Sequence, residues 1–299
     1  MLLRSQFPDL VLEDALPVLE KVIFEGYKMA DDILPELFNQ YSMDQAITQS
    51  TGIGGLPIAP VNSEGAALSY DDVDQLYDKT YTALKYRLGV KITEEMIEDN
   101  KFITTVKLAE ELGKAMKEAK LVAGHAIFNN GFATDTGPDG VYLFSASHPL
   151  PSVGGTDSNV GTADLSVASL RSGIEAMRET LNARGLKRPL KARKLVVPVA
   201  NQWLAAELIK SYQKPYTADN EVNTFPNLDI VVGDYLTLGS GTWFLLADKG
   251  DHDLNQFQRV SMSVKSDDDF DADSRKIACR ERFVFGYNDW RGTFGSPGA

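Results

Sequence analysis

The chain has 299 residues, 43% of them hydrophobic and 24% charged, an ordinary composition for a folded protein with no bias towards disorder. Its formal net charge of -12 and pI of about 4.8 disfavour a free basic face for gripping phosphates, and with it nucleic-acid binding. Three histidines and one cysteine exclude an internal disulfide framework and leave no zinc set at ordinary ligand spacing.

At its start the chain reads "MLLRSQFPDLVLEDALP", with acids among the first fifteen residues and no apolar run leading to small residues, so it does not read as a signal peptide. No segment approaches eighteen uninterrupted apolar residues, so a soluble protein made in the cytosol, with no membrane partner, is expected. Residues 8–40 carry helical spacing, Val18 with Val22 and Ile33 with Leu37, and Pro17 and Pro35 are expected to break it into short helices. "TGIGGLPIAPVNSEGAALSYDD" is a breaker-rich loop.

From Thr80 to Ile92 the sequence alternates. Thr80, Thr82, Leu84, Tyr86, Leu88, Val90 and Ile92 fall on one side, and Lys79, Tyr81, Lys85, Arg87 and Lys91 on the other. This predicts one long strand with a basic face, longer than the usual five or six residues, in a protruding hairpin arm or at a half-buried sheet position. Lys79, Lys85, Arg87 and Lys91 are the candidate contacts to another subunit.

Thr93 is a candidate N-cap for the helical pattern that follows, in which Ile103, Val106, Leu112, Met116, Ala119 and Ala123 form an apolar stripe and Glu110 with Lys114 a solvated pair. His125 near its end is expected to pack and not to ligate. Residues 166–184 predict an amphipathic helix ended by Gly185. "KLVVPV", "LDIVVGDYL" and "TWFLLAD" predict strands, and "NQWLAAELIKSY" a helix. Two further strands are expected around an acidic turn, one through Val260, Met262 and Val264, the other through Ile277, Cys279, Glu281, Phe283 and Phe285.

Three stretches invite a chemical reading. In "LFSASHPL" Ser145 and Ser147 stand beside His148, but nucleophilic catalysis needs a base oriented by an acid, and no G-x-S-x-G turn presents either serine; a structural turn before Pro149 is expected. Asp267, Asp268, Asp269, Asp271 and Asp273 resemble a calcium loop until the sixth and twelfth places, which hold Ala272 and Ala278, so a solvated turn is expected. "GIGG" and "GSGTW" lack the strand, glycine spacing and helix of a dinucleotide fingerprint and any P-loop lysine. No catalytic residue, cofactor or metal site is expected.

Four stretches in order, "SYDDVDQLYDKTYTALKYRLGVKITEEMIEDN", "LFSASHP", "GLKRPLKARKLVVP" and "DDDFDADSRKIACRERFVFGYNDWRG", resemble the major head subunits of tailed phages, the Mu-like prophage group in particular. The resemblance implies an α+β chain with the Hong Kong 97-like fold: an N-terminal arm over 1–50, an E-loop region over 51–92, a peripheral domain with its spine helix over 93–130, an inserted axial domain over 131–254, and closing peripheral strands over 255–299. It implies a non-enzymatic capsid protein of the virion, assembled in the host cytoplasm. Pentamers and hexamers of it would form an icosahedral shell around double-stranded DNA without reading its sequence, with scaffold, portal and decoration proteins as further partners. An encapsulin-like compartment shell is the alternative on the same fold, and a serine hydrolase built on Ser145 or Ser147 with His148 is the remaining enzymatic reading.

Overall fold

Two four-stranded sheets, joined by one long helix and a shared aromatic core, organise the chain. The computed structural model describes residues 12–65, 67–68, 70–72, 75–93, 95–96, 102–211, 225, 228–269 and 272–299. The first eleven residues of the expected N-terminal arm and Asp271 of the acidic run lie outside them. Among the described residues no helix is long and apolar enough to cross a membrane.

The first sheet runs in the order β1 (Asn39–Ser42), β10 (Leu254–Asp269), β11 (Ser274–Tyr287) and β4 (Leu84–Thr93). Parallel pairing of β1 with β10 brings the N-terminal region against the C-terminal one, while β10, β11 and β4 run antiparallel. On its inner face lie α1 (Leu12–Met29) and α3 (Phe102–Asn129), with Val22, Ile23, Leu112, Met116, Ile92, Ile277 and Cys279 in one cluster. Gly26 and Gly113 allow the two helices to touch, because a Cβ at Gly113 would run into the Ile23 carbonyl and one at Gly26 into that of Glu110. Helix α1 runs through Pro17 without breaking, since proline costs a helix only the bond and space of the preceding turn. Pro35 opens the one-turn helix α2 (Leu34–Leu37), where its missing N–H has no partner to lose.

The second sheet runs in the order β12 (Thr293–Ser296), β9 (Trp243–Leu246), β7 (Lys194–Pro198) and β8 (Asp229–Gly233). It is covered by α4 (Val167–Glu179), capped by a Ser166–Ser169 box, and by α5 (Gln202–Lys210). The chain's last strand therefore closes the second sheet, not the first. Between the sheets, Phe38, Phe128, Phe144, Phe244, Leu254 and Trp290 share one core with the end of α3.

Helix α4 ends at Glu179, before the expected Gly185. The Thr180 hydroxyl donates to the Ala176 carbonyl, and the chain then turns so that Leu181 pairs with Lys187 around Gly185, whose φ is 73°. Thr93 is the last residue of β4.

The largest departure concerns Thr80–Ile92, which is two strands and not one. β3 (Gln75–Thr82) pairs with β2 (Ile47–Ile53) in a separate hairpin; Ala83 is the break; β4 then joins β11. The break is driven by burial, because Tyr81 and Ala83 pack with Met43, Phe257 and Val284 where the hairpin lies on the outer face of the first sheet. Tyr81, expected beside the lysines, is buried and donates to Asn288 Oδ1 at 2.6 Å. Leu84 and Leu88, expected to face inward, lie opposite Phe283 and Cys279 on the helix-bearing face yet are exposed, while Ile92 at the other end of β4 is buried against the helices.

Candidate functional site

The "LFSASHPL" segment holds a buried clasp and not a triad. His148 is fully buried, with Nδ1 2.6 Å from Asp139 Oδ2 and Nε2 3.0 Å from Asn159 Oδ1. Asn159 is itself fixed, since its Nδ2 donates to the Leu143 carbonyl at 2.8 Å and its Oδ1 accepts from the Ser145 N–H at 3.0 Å. Trp290 stacks on the imidazole at 4.2 Å and 13°, with the Arg291 guanidinium 4.8 Å from the indole. Both ring nitrogens are thus engaged away from the serines, and the Ser145 hydroxyl instead accepts the Ser147 N–H at 3.2 Å. Three chain segments are tied together at the joint between the sheets.

His125 packs, as its place on the helix implies: Nδ1 lies 2.7 Å from the Leu121 carbonyl and the ring meets the edge of Tyr235, with burial holding its pKa below the usual imidazole value. Asp268 and Asp269 belong to β10 and pair with Arg275 and Lys276. Among the described residues no group of three or more His, Cys, Asp or Glu is placed to hold a metal ion.

A second buried network was not foreseen. Glu281, 1% exposed on the inner face of β11, accepts from Lys120 Nζ and from Gln258 Nε2, each at 2.9 Å, and from the Tyr27 hydroxyl at 3.2 Å. Lys117, one turn earlier on α3, pairs with Asp32. Burial and the Glu281 carboxylate together push the Tyr27 hydroxyl far above the ordinary phenol value. A charged residue inside the apolar alternation of Ile277, Cys279 and Phe283 was the available sign, with Lys120 on the helix as its partner.

The four candidate contact cations do not form one strip. Lys79 sits on β3, its Nζ 5.6 Å from the centre of the Tyr287 ring. Lys85, Arg87 and Lys91 share the outer face of β4 and stand opposite Arg282, Arg280 and Lys276 of β11. The basic surface therefore spans two strands of the sheet body. Between β2 and β3, the loop from Ile53 to Asp72 extends with its apolar side chains in the open; Val61 is fully exposed and Tyr70 is 90% exposed.

Comparison with known proteins places this architecture. No curated protein sequence matches the chain. The procapsid subunit of bacteriophage JBD30 is 17% identical, with 95% of this chain and 74% of that one covered at a TM-score of 0.53. A chain of Mycobacterium phage Adephagia is 12% identical over 96% of this chain and 97% of that one, TM-score 0.55. The SrpI encapsulin of Synechococcus elongatus PCC 7942 shares the fold as well, 8% identical over 90% and 88%, TM-score 0.58. A family model described as phage capsid protein matches residues 76–295, from β3 through the clasp and both sheets to β12. With most of its length so matched, the chain belongs to the phage capsid protein family and has the Hong Kong 97-like fold.

Proposed function

We propose that the chain is the major head subunit of a tailed phage or prophage, acting by assembly into pentamers and hexamers of an icosahedral shell and not by catalysis. The family match over residues 76–295 carries this reading. It is supported by the exposed hairpin loop, since an apolar segment of this size needs a partner surface in a stable, soluble particle. Pentamers and hexamers enclose double-stranded DNA without sequence-specific contacts. Portal, scaffold and decoration proteins are the further partners, and the virion is the site of action after assembly in the host cytoplasm.

In this reading the 47–82 hairpin is an arm that works between subunits, with Lys79, Lys85, Arg87 and Lys91 at subunit contacts. Deleting the tip between Asn62 and Asp74 tests it. The thermal transition of the unassembled subunit should stay within a few degrees of the parent's, because described loop side chains such as Val61, Leu68 and Tyr70 are exposed. Particle yield should collapse. Unfolding of the isolated subunit, or closed shells at full yield, would place the arm outside subunit contacts.

The likeness to the SrpI encapsulin favours a second reading, a compartment shell with protein cargo. Nuclease-protected DNA inside particles from the native source separates the two: its presence supports the phage head, and protein cargo in its place the compartment.

A further inference from the structure

Lys120 does more than neutralise Glu281. Its Nζ lies 2.9 Å from Glu281 Oε1 and also 2.9 Å from the side-chain carbonyl oxygen of Gln258 on β10. Gln258 Nε2 in turn donates to the same Glu281 Oε1 at 2.9 Å. One carboxylate oxygen therefore touches both a primary amine and the nitrogen of a primary amide, while the amine touches that amide's oxygen. An ion pair needs only the first of these contacts.

The three side chains come from α3, β10 and β11 and meet on the inner face of the first sheet. Gln258 stands where the β10–β11 register shifts, and its Nε2 also donates to the Val260 carbonyl at 2.9 Å, which fixes the amide's orientation. Water is largely kept out. The Lys120 side chain is 11% exposed and that of Glu281 1%, and the Phe283 ring centre lies 5.5 Å from Nζ.

Addition of an amine to an amide needs a base for the amine's proton, a donor to the oxygen on which charge develops, and an acid for the leaving nitrogen. Glu281 Oε1 is at hydrogen-bond distance from both nitrogens and serves as base and then acid. Gln256 Nε2 lies 3.4 Å from Gln258 Oε1 and is the donor to the developing charge; Gln40 Nε2 holds Gln256 Oε1 at 3.5 Å. The Tyr27 hydroxyl, 3.2 Å from each carboxylate oxygen, orients Glu281.

We propose that Lys120 and Gln258 form a self-modification site, at which Glu281 catalyses an isopeptide bond between them within one subunit. The Nζ–Cδ bond forms and the Cδ–Nε2 bond breaks. Starting from the ammonium form, the two protons that Nζ sheds pass through Glu281 to the leaving Nε2, which departs as ammonium, and the carboxylate is restored. Nothing is oxidised or reduced, and no co-reactant is consumed. The tie fastens α3 to the first sheet and closes residues 120–258, with β7, β8 and β9 among them, into one loop. It concerns a single subunit and stands apart from the shell reading.

The intact mass of the denatured parent subunit, fresh and after days at neutral pH, reads the reaction directly. Expected is a mass about 17 Da below that of the sequence, the loss of one ammonia. Trypsin should then leave the chain uncut after Lys120 and yield residues 118–171 joined to residues 250–259. Lys120→Arg keeps the charge without the reactive amine, and Glu281→Gln keeps the shape without the base; both should show the full mass. The linked parent should also melt above Lys120→Arg, because the tie restricts its unfolded chain. A parent at the full sequence mass, cleaved normally after Lys120, overturns the proposal whether or not the variants fold. An ammonia loss that maps to other residues overturns it equally. A link formed undiminished in Glu281→Gln overturns Glu281 as its catalyst.

Discussion

Glu281 and its neighbours show how a residue's surroundings decide what it is worth. Its carboxylate is shut between α3 and the first sheet, where Lys120, Gln258 and Tyr27 satisfy it. Removing one partner of such a pair strands the other without water. Glu281→Ala is therefore expected to lower unfolding stability by about 3–5 kcal/mol, read from urea denaturation of the unassembled subunit. His252 makes a pH statement of the same kind. It is buried, its Nδ1 accepts the Leu254 N–H at 3.3 Å, and burial, followed by Lys194 and Lys249, lowers its pKa from 6.5 to about 4. A histidine whose folded pKa is depressed contributes its stability above the unfolded value and loses it as pH falls. The loss, roughly 3 kcal/mol in all, should thus develop between about pH 6.5 and 4. His125 acts in the same direction and Asp253, whose carboxyl is pushed up by partial desolvation, in the opposite one. Stability against pH for the parent and His252→Gln isolates the contribution: the variant should have the shallower acid slope, and parallel curves would contradict it.

At the scale of elements, the contact between α1 and α3 depends on two glycines that no hydropathy pattern singles out. Gly113→Ala gains about 1 kcal/mol of helix propensity, yet it pushes a methyl group into the Ile23 carbonyl. A net destabilisation of about 2 kcal/mol is expected, since backbone on both sides must separate, and the thermal transition measures it. Periodicity located α3 within a few residues, because a helix of 28 residues repeats its apolar stripe many times. The same logic failed over Thr80–Ile92. Alternation reports which side a residue faces but not which partner strand supplies that side, so two strands in different sheets read as one. The early end of α4 was hidden for a related reason: Thr180 is compatible with helix, and it is the pairing of Leu181 with Lys187 that draws the chain away.

For the whole molecule, the chain's family was legible in four motifs and is borne out by the match over residues 76–295. The basic surface was legible only in part. Lys85, Arg87 and Lys91 were visible as an alternating set, whereas Arg280 and Arg282 join them through register across nearly two hundred residues of chain, which local spacing does not encode. The buried state of His148 was anticipated as structural, but its partners Asp139 and Asn159 come from separate loops and become neighbours only in the fold. Lys120 and Glu281 meet in the same way, across a helix and a strand. These side chains hold the subunit's form, and the function attributed to it resides in how copies meet. Cryo-electron microscopy of the purified protein, concentrated at low ionic strength, examines that most directly. The expected result is closed particles built of pentamers and hexamers, with the hairpin of each subunit extended over a neighbour. A monodisperse monomer at every concentration and salt level would contradict it.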